Sequence, residues 1–151
     1  MNISRKKIKT LAQREAAAFL AARPRSQQLA ALTERHYLFG VPLHWMADWG
    51  TPVPLFVERA QGAHFTCVDG IEYADFCLGD TGAMFGHSPA PVANALIQNA
   101  TSGYTAMLPT AAAAMAGKAL TERFGLPFWQ LATTATDANR FVVLWALAIT
   151  Q

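Results

Sequence analysis

Charge is scarce in this chain. Only 15% of its 151 residues are Asp, Glu, Lys or Arg, against about a quarter in an ordinary soluble domain. With 52% hydrophobic residues, the shortage predicts a surface that is partly covered by a partner. Cysteine is scarce too, with Cys67 and Cys77 alone. They flank a turn at Asp69-Gly70, but a hairpin there sets Cys67 opposite a residue near position 72. Free thiols in a reducing compartment are therefore expected rather than a disulfide. Long apolar runs are absent: FVVLWALAI at 141–149 falls well short of the roughly 18 to 20 residues that span a bilayer. No membrane partner is expected, and that run should be buried in protein.

The positive charge is local. The formal net charge is +2, but residues 1–40 hold eight Lys/Arg against Glu15 and Glu34, while residues 41–151 hold four against eight acids. The leader SRKKIKTLAQREAAAFLAARPRSQQ is not interleaved with aromatics, so it reads as a solvated helix face rather than a nucleic-acid arm. Arg14 and Glu15 interrupt any secretory h-region. Lys/Arg richness leaves a mitochondrial presequence open, but the expected location is cytoplasmic.

Punctuation by Pro, Gly and turn dipeptides divides the rest. Helices are predicted over 5–22 and 26–38, with Ser26 able to cap the second. GVPLHWMADWGTPVP follows as an ordered loop. PLFVERAQGAHFTCVDGIEYADFCL, broken at Gln61-Gly62 and Asp69-Gly70, predicts a three-stranded antiparallel meander. Ser88 is expected to cap a helix with Pro89 near its first position, Thr110 a second helix that ends at Gly125. PFWQLA reads as a buried strand, and a final helix should start near Thr136. The order implies an α/β fold: N-terminal helices, a meander, then the start of a mostly parallel α/β layer.

Two stretches suggest chemistry. In WQLATTATDANRF, the first turn of a helix presents free backbone N–H groups and small side chains at a positive dipole end. That is a seat for a phosphate, and equally a strand end with Thr136 as an ordinary N-cap. GDTGAMFGH at 79–87 carries three glycines that permit close backbone approach, with a Thr and a His able to donate hydrogen bonds. It lacks the Gly-Lys-Ser/Thr of a Walker-type loop and reads equally as a flexible turn. His36, His44, His64 and His87 have no metal-ligand spacing, and no Gly-x-Ser-x-Gly elbow is present.

Taken in order, these blocks resemble the N-terminal part of class III, fold type I pyridoxal-phosphate-dependent aminotransferases, with the likeness strongest to members of the glutamate-1-semialdehyde 2,1-aminomutase type. GTPVPLFVERAQGAHFTCVDGIEYADF is similar to the family's Gly-Thr-Pro element and its hairpin ending Asp-Val-Asp-Gly-x-x-Tyr-x-Asp. GDTGAMFGHSPAPV is similar to its Gly-rich loop ending Gly-His-x-x-Pro. SGYTAMLPT resembles a further segment at Gly103, Pro109 and Thr110, and TTATDAN stands where the family has Asn-Ser-Gly-Thr-Glu-Ala-Asn. The likeness runs over about residues 35–151.

The resemblance implies that Thr134, Ala135 and Thr136 bind the phosphate of pyridoxal 5'-phosphate, through the backbone at Ala135 and Thr136 and the Thr136 hydroxyl. Ala135 departs from the family's Gly, which raises the question of backbone conformation there. Asp80 and Thr81 would lie near the substrate pocket. A small-molecule amino acid or amine substrate and a homodimer are implied as well. So is a division into a helical leader (1–40), a loop and meander of the small domain (41–80) and the beginning of the large cofactor-binding domain (81–151). In the family the lysine, the acid at the pyridine nitrogen and the stacking aromatic lie beyond the phosphate loop. None of Lys6, Lys7, Lys9 and Lys118 has a matching context, so no catalytic residue is nominated. The expectation is an N-terminal fragment, catalytically inactive and sticky, its last helix apolar all round; the alternative is a non-catalytic binding or assembly module that keeps the start of the fold.

Overall fold

A computed structural model of the chain describes residues 4–103 and 107–150. SGYTAMLPT crosses residues 104–106, which lie outside the described residues, as does Gln151. The chain divides into two compact units, Met1–Ala100 and Thr101–Gln151.

In the first unit, the Ala-rich stretch RKKIKTLAQREAAAFLA forms α1, Arg5–Ala21, from the N-cap Ser4. Ala, Lys, Arg, Leu and Gln lose little on entering a helix, which suits an element with no buried residue. Pro24 then sits at the first position of α2, Pro24–Thr33, where its missing N–H costs no hydrogen bond. The second helix thus starts two residues earlier than the 26–38 read from the sequence, and it is shorter because it ends at Thr33. Short 3-10 turns follow at Leu38–Gly40 and His44–Ala47.

Ser26 is not the cap of α2. It lies inside the first turn and is fully buried. The cap is supplied from the meander: Asp69 accepts the backbone N–H of Arg25 at 2.7 Å and of Ser26 at 3.1 Å, and also the Ser26 hydroxyl. Burial raises the pKa of Asp69, but the bond from the Ser26 hydroxyl, the two N–H groups and the Arg25 charge outweigh it and leave a net lowering.

The meander forms as expected. Strands β1 (Val57–Gln61), β2 (His64–Cys67) and β3 (Glu72–Ala74) pair antiparallel in the order β1-β2-β3. Gly70, with φ +79°, makes the reversal between β2 and β3, and its N–H reaches the Cys67 carbonyl at 2.8 Å. Cys67 is buried, Cys77 is exposed, and both are free thiols. Arg23, at the elbow between α1 and α2, ties the helices to the sheet. Its guanidinium donates to the Tyr73 hydroxyl at 2.8 Å and to the Phe19 carbonyl at 2.9 Å, and lies 3.7 Å from the centre of the Phe19 ring. Tyr73 in turn stacks on Phe65. Helix α3, Ala90–Asn99, ends the unit, with Pro89 as its N-cap rather than Ser88. Ser88 instead has φ +50° and donates its hydroxyl to the Ala60 carbonyl at 3.0 Å.

The second unit holds α4, Ala111–Phe124, and α5, Ala135–Thr150. Thr110 is the N-cap of α4, although its side chain makes no capping bond, and Gly125 ends the helix in the left-handed conformation. PFWQLA is not a strand. Residues 127–132 are irregular and pair with no strand among the described residues, and Phe128 is 90% exposed. An apolar run becomes a strand only where a neighbour takes its backbone groups. Helix α5 buries no residue and is exposed everywhere but at half-buried Asp137, with Val142, Leu144, Trp145 and Ile149 all open. Among the described residues, no helix is long and apolar enough to cross a membrane.

Candidate functional site

The turn into α5 is built by Thr134. Its hydroxyl accepts the N–H of Asp137 at 3.1 Å and donates to the Asp137 carboxylate at 3.0 Å. The helix thus begins one residue earlier than read from the sequence, and Thr134, not Thr136, is the cap. The first intrahelical backbone bond runs from Ala138 N–H to the Thr134 carbonyl. The N–H groups of Ala135 and Thr136, the first two helical residues, therefore have no place in the helix ladder and stand free for an external acceptor. The Asp137 carboxylate is engaged by the Thr134 hydroxyl. Ala135 is helical and is not among the non-glycine residues with positive φ. Its methyl group is accommodated without left-handed strain, which answers the question raised by the missing glycine.

Small side chains, two free N–H donors and the exposed Thr136 hydroxyl at the positive end of a sixteen-residue helix fit a phosphate monoester. Nothing in the turn demands a metal. The capping role of Thr134 withdraws its hydroxyl from the donors available to a ligand and leaves that of Thr136.

The Gly-rich loop belongs to the first unit and is held by Asp75 and His87. One Asp75 oxygen accepts the N–H groups of Cys77 and Leu78, each at 2.9 Å, and the other meets His87 Nε2 at 2.7 Å. The His87 bond and the Leu78 N–H, chiefly, hold the Asp75 carboxyl below its ordinary pKa against a smaller opposing effect of burial. Between these ends, Leu78 and Asp80 have φ of +49° and +56°, and Ser88, just beyond His87, has +50°. Left-handed backbone costs about 1–2 kcal/mol at each residue with a Cβ, so the surroundings must over-determine the loop. Gly86 shows how tightly: a Cβ there would lie 3.0 Å from Gly62 Cα, and its φ is +85°. Asp80 and Thr81 are exposed on this loop. The sequence indicated the loop but not what holds it, although Asp75 and His87 each end one of the motifs quoted above.

No family model matches the chain. Fold and sequence nevertheless agree with proteins of one class. The glutamate-1-semialdehyde-aminomutase of Pseudomonas aeruginosa PAO1 superimposes with a TM-score of 0.85 at 48% identity, over 94% of this chain and 31% of that one; one of its structures is a lysine-to-alanine variant in complex with PMP. A β-phenylalanine aminotransferase from Variovorax paradoxus shares the fold, with a TM-score of 0.83 at 24% identity, over 95% of this chain and 33% of that one. The fold is that of the N-terminal part of the class III, fold type I pyridoxal-phosphate-dependent aminotransferases.

Within that class, the sequence is similar to glutamate-1-semialdehyde 2,1-aminomutases. The protein of that name from Lawsonia intracellularis is 32% identical over 98 residues, 64% of this chain and 23% of the relative. That of Methanoculleus marisnigri is 39% identical over 59 residues. The chain thus spans about a quarter of the first of these relatives and about a third of the solved structures.

Proposed function

We propose that this chain supplies the phosphate seat and one loop of the substrate pocket of a pyridoxal-phosphate-dependent enzyme that moves amino groups between an amino acid or amine and an oxo acid or aldehyde. The observation that carries this is the start of α5, where the Ala135 and Thr136 N–H groups and the Thr136 hydroxyl have no hydrogen-bond partner among the described residues, in a chain whose relatives are such enzymes. When bound, pyridoxal phosphate supplies an electron sink for bonds broken at the substrate carbon. This chain's own part is anchorage. Two backbone donors and a hydroxyl hold the phosphate, the helix dipole favours its charge, and Thr134 fixes the turn. Asp80 and Thr81, on a loop with little freedom to move, orient the substrate.

The division proposed for the chain is a helical leader over 1–40, small-domain loop and meander over 41–80, and the first part of the cofactor-binding domain over 81–151. Its lysines lie on α1 and α4, where Lys118 pairs with Glu122 at 3.7 Å, and none is assigned as the amine that joins the cofactor. The chain spans about a third of the solved structures, and none of its residues is assigned to the chemical step. The complete assembly is a homodimer in the cytoplasm, where Cys67 and Cys77 stay reduced. A second reading, a non-catalytic assembly module on the same fold, draws on the exposed apolar faces of α5.

The two readings part on ligand binding. Pyridoxamine 5'-phosphate added to the isotope-labelled chain is expected to shift the Ala135 and Thr136 amides, while pyridoxamine without phosphate leaves them in place. Thr136→Val should weaken the effect roughly tenfold, the cost of a lost hydrogen bond to a charged group. Borohydride treatment with pyridoxal phosphate should label no single lysine. Equal shifts from both amines, or none from either with self-association intact, would favour the assembly module.

A further inference from the structure

The loop between Asp75 and His87 closes on the β1–β2 turn from both ends. At one end the Asp75 N–H donates to the Ala63 carbonyl at 2.7 Å; at the other His87 and Gly62 exchange backbone bonds of 3.0 and 2.8 Å. The Asp75 and His87 side chains then join the two ends at 2.7 Å, with only 15% and 22% of their surfaces exposed. Inside the ring, bonds from Gly82 to Gly79, Ala83 to Leu78 and Gly86 to Ala83 curl the loop upon itself without fastening it to the sheet. Apolar burial does not fasten it either, since Phe76 is 97% and Phe85 95% exposed. What remains to keep Leu78 and Asp80 left-handed is the polar closure at its base.

We propose that Asp75 and His87 form a latch that holds the 76–86 loop shut on the β1–β2 turn, making the pair positioning residues for Asp80 and Thr81. The latch itself follows from the geometry of this unit. Its service to a bound substrate rests on the reading that Asp80 and Thr81 line the pocket. A 2.7 Å hydrogen bond between two part-buried side chains, aimed at a carboxylate already holding two N–H groups, is the strong kind, and here it joins the two ends of the loop. Opening it frees the Gly62–His87 bridge first.

Amide hydrogen exchange of the 151-residue chain, without any cofactor, tests this. In His87→Ala the Gly62 and His87-position amides should exchange roughly tenfold faster or more, the loss expected for one charge-assisted hydrogen bond, while the amides of the β1–β2 and β2–β3 ladders keep their protection. His87→Gln, whose amide can still donate to Asp75, should recover most of the protection. If the alanine variant also loses its ladders, Asp75→Asn, equal in size but uncharged, is read in the same way and should still loosen the bridge selectively. Unchanged protection in His87→Ala, or a loss that His87→Gln does not repair, overturns the latch. Because no ligand is present, a failed pyridoxamine phosphate titration leaves this outcome untouched.

Discussion

The Gly-rich loop at 78–88 and the turn at 133–137 both bring small residues and hydroxyls to a chain reversal, but they are held in different ways. The loop depends on bonds between residues well separated in sequence. Asp75, His87, Gly62 and Ala60 fasten it, and without them its left-handed residues would relax. The turn depends only on itself, because Thr134 and Asp137 are three residues apart and need nothing else to cap α5. Contacts between separated segments preorganise the loop, as a pocket wall for the proposed substrate would require. A local cap would suffice for the proposed phosphate, whose recognition needs little more than free N–H groups and a helix dipole.

The contrast can be broken most severely at the elbow of the first unit. Arg23→Ala removes the bonds to Tyr73 and Phe19 and the stacking of the guanidinium on Phe19, and should cost about 2–3 kcal/mol. It is read as a lower denaturant midpoint for the meander resonances, while those of α4 stay unchanged. Thr134→Ala removes the cap of α5 and should cost about 1 kcal/mol, seen as faster exchange confined to the first turn of that helix. Acid gives the smallest effect. Because His87 and the Leu78 N–H lower the Asp75 pKa in the folded chain, its contribution is complete above the ordinary 3.8 and fades as pH falls through the lower folded value. The denaturant midpoint of the first unit should therefore drop below about pH 4, by less in Asp75→Asn than in the unaltered chain.

Much of this was legible in order and spacing. The meander, its Asp69-Gly70 turn, the Gly125 helix end and the free thiols follow from local chemistry. The misreadings share one cause. Ser26, Ser88 and Thr136 are residues of the kind that cap helices, but Ser26 is drawn to Asp69, Ser88 to the Ala60 carbonyl, and Thr134 takes the cap beside Thr136. PFWQLA has the composition of a strand, and composition cannot supply the neighbour that a strand requires. The Asp75–His87 bond spans twelve residues of chain, and nothing in their spacing announces it.

The sequence by itself determined the helices of high intrinsic propensity and the hairpin turns that need glycine, because each is set by interactions within a few residues, and its ordered motifs carry the likeness to one class of protein. Only the tertiary structure decided that Asp69 caps α2, that Arg23 joins helix to sheet, and that Asp75 and His87 close the loop bearing Asp80 and Thr81. Those contacts join segments separated in the chain by 12 to 50 residues. The strength of a hydrogen bond depends on where the chain brings donor, acceptor and water, which no local pattern encodes.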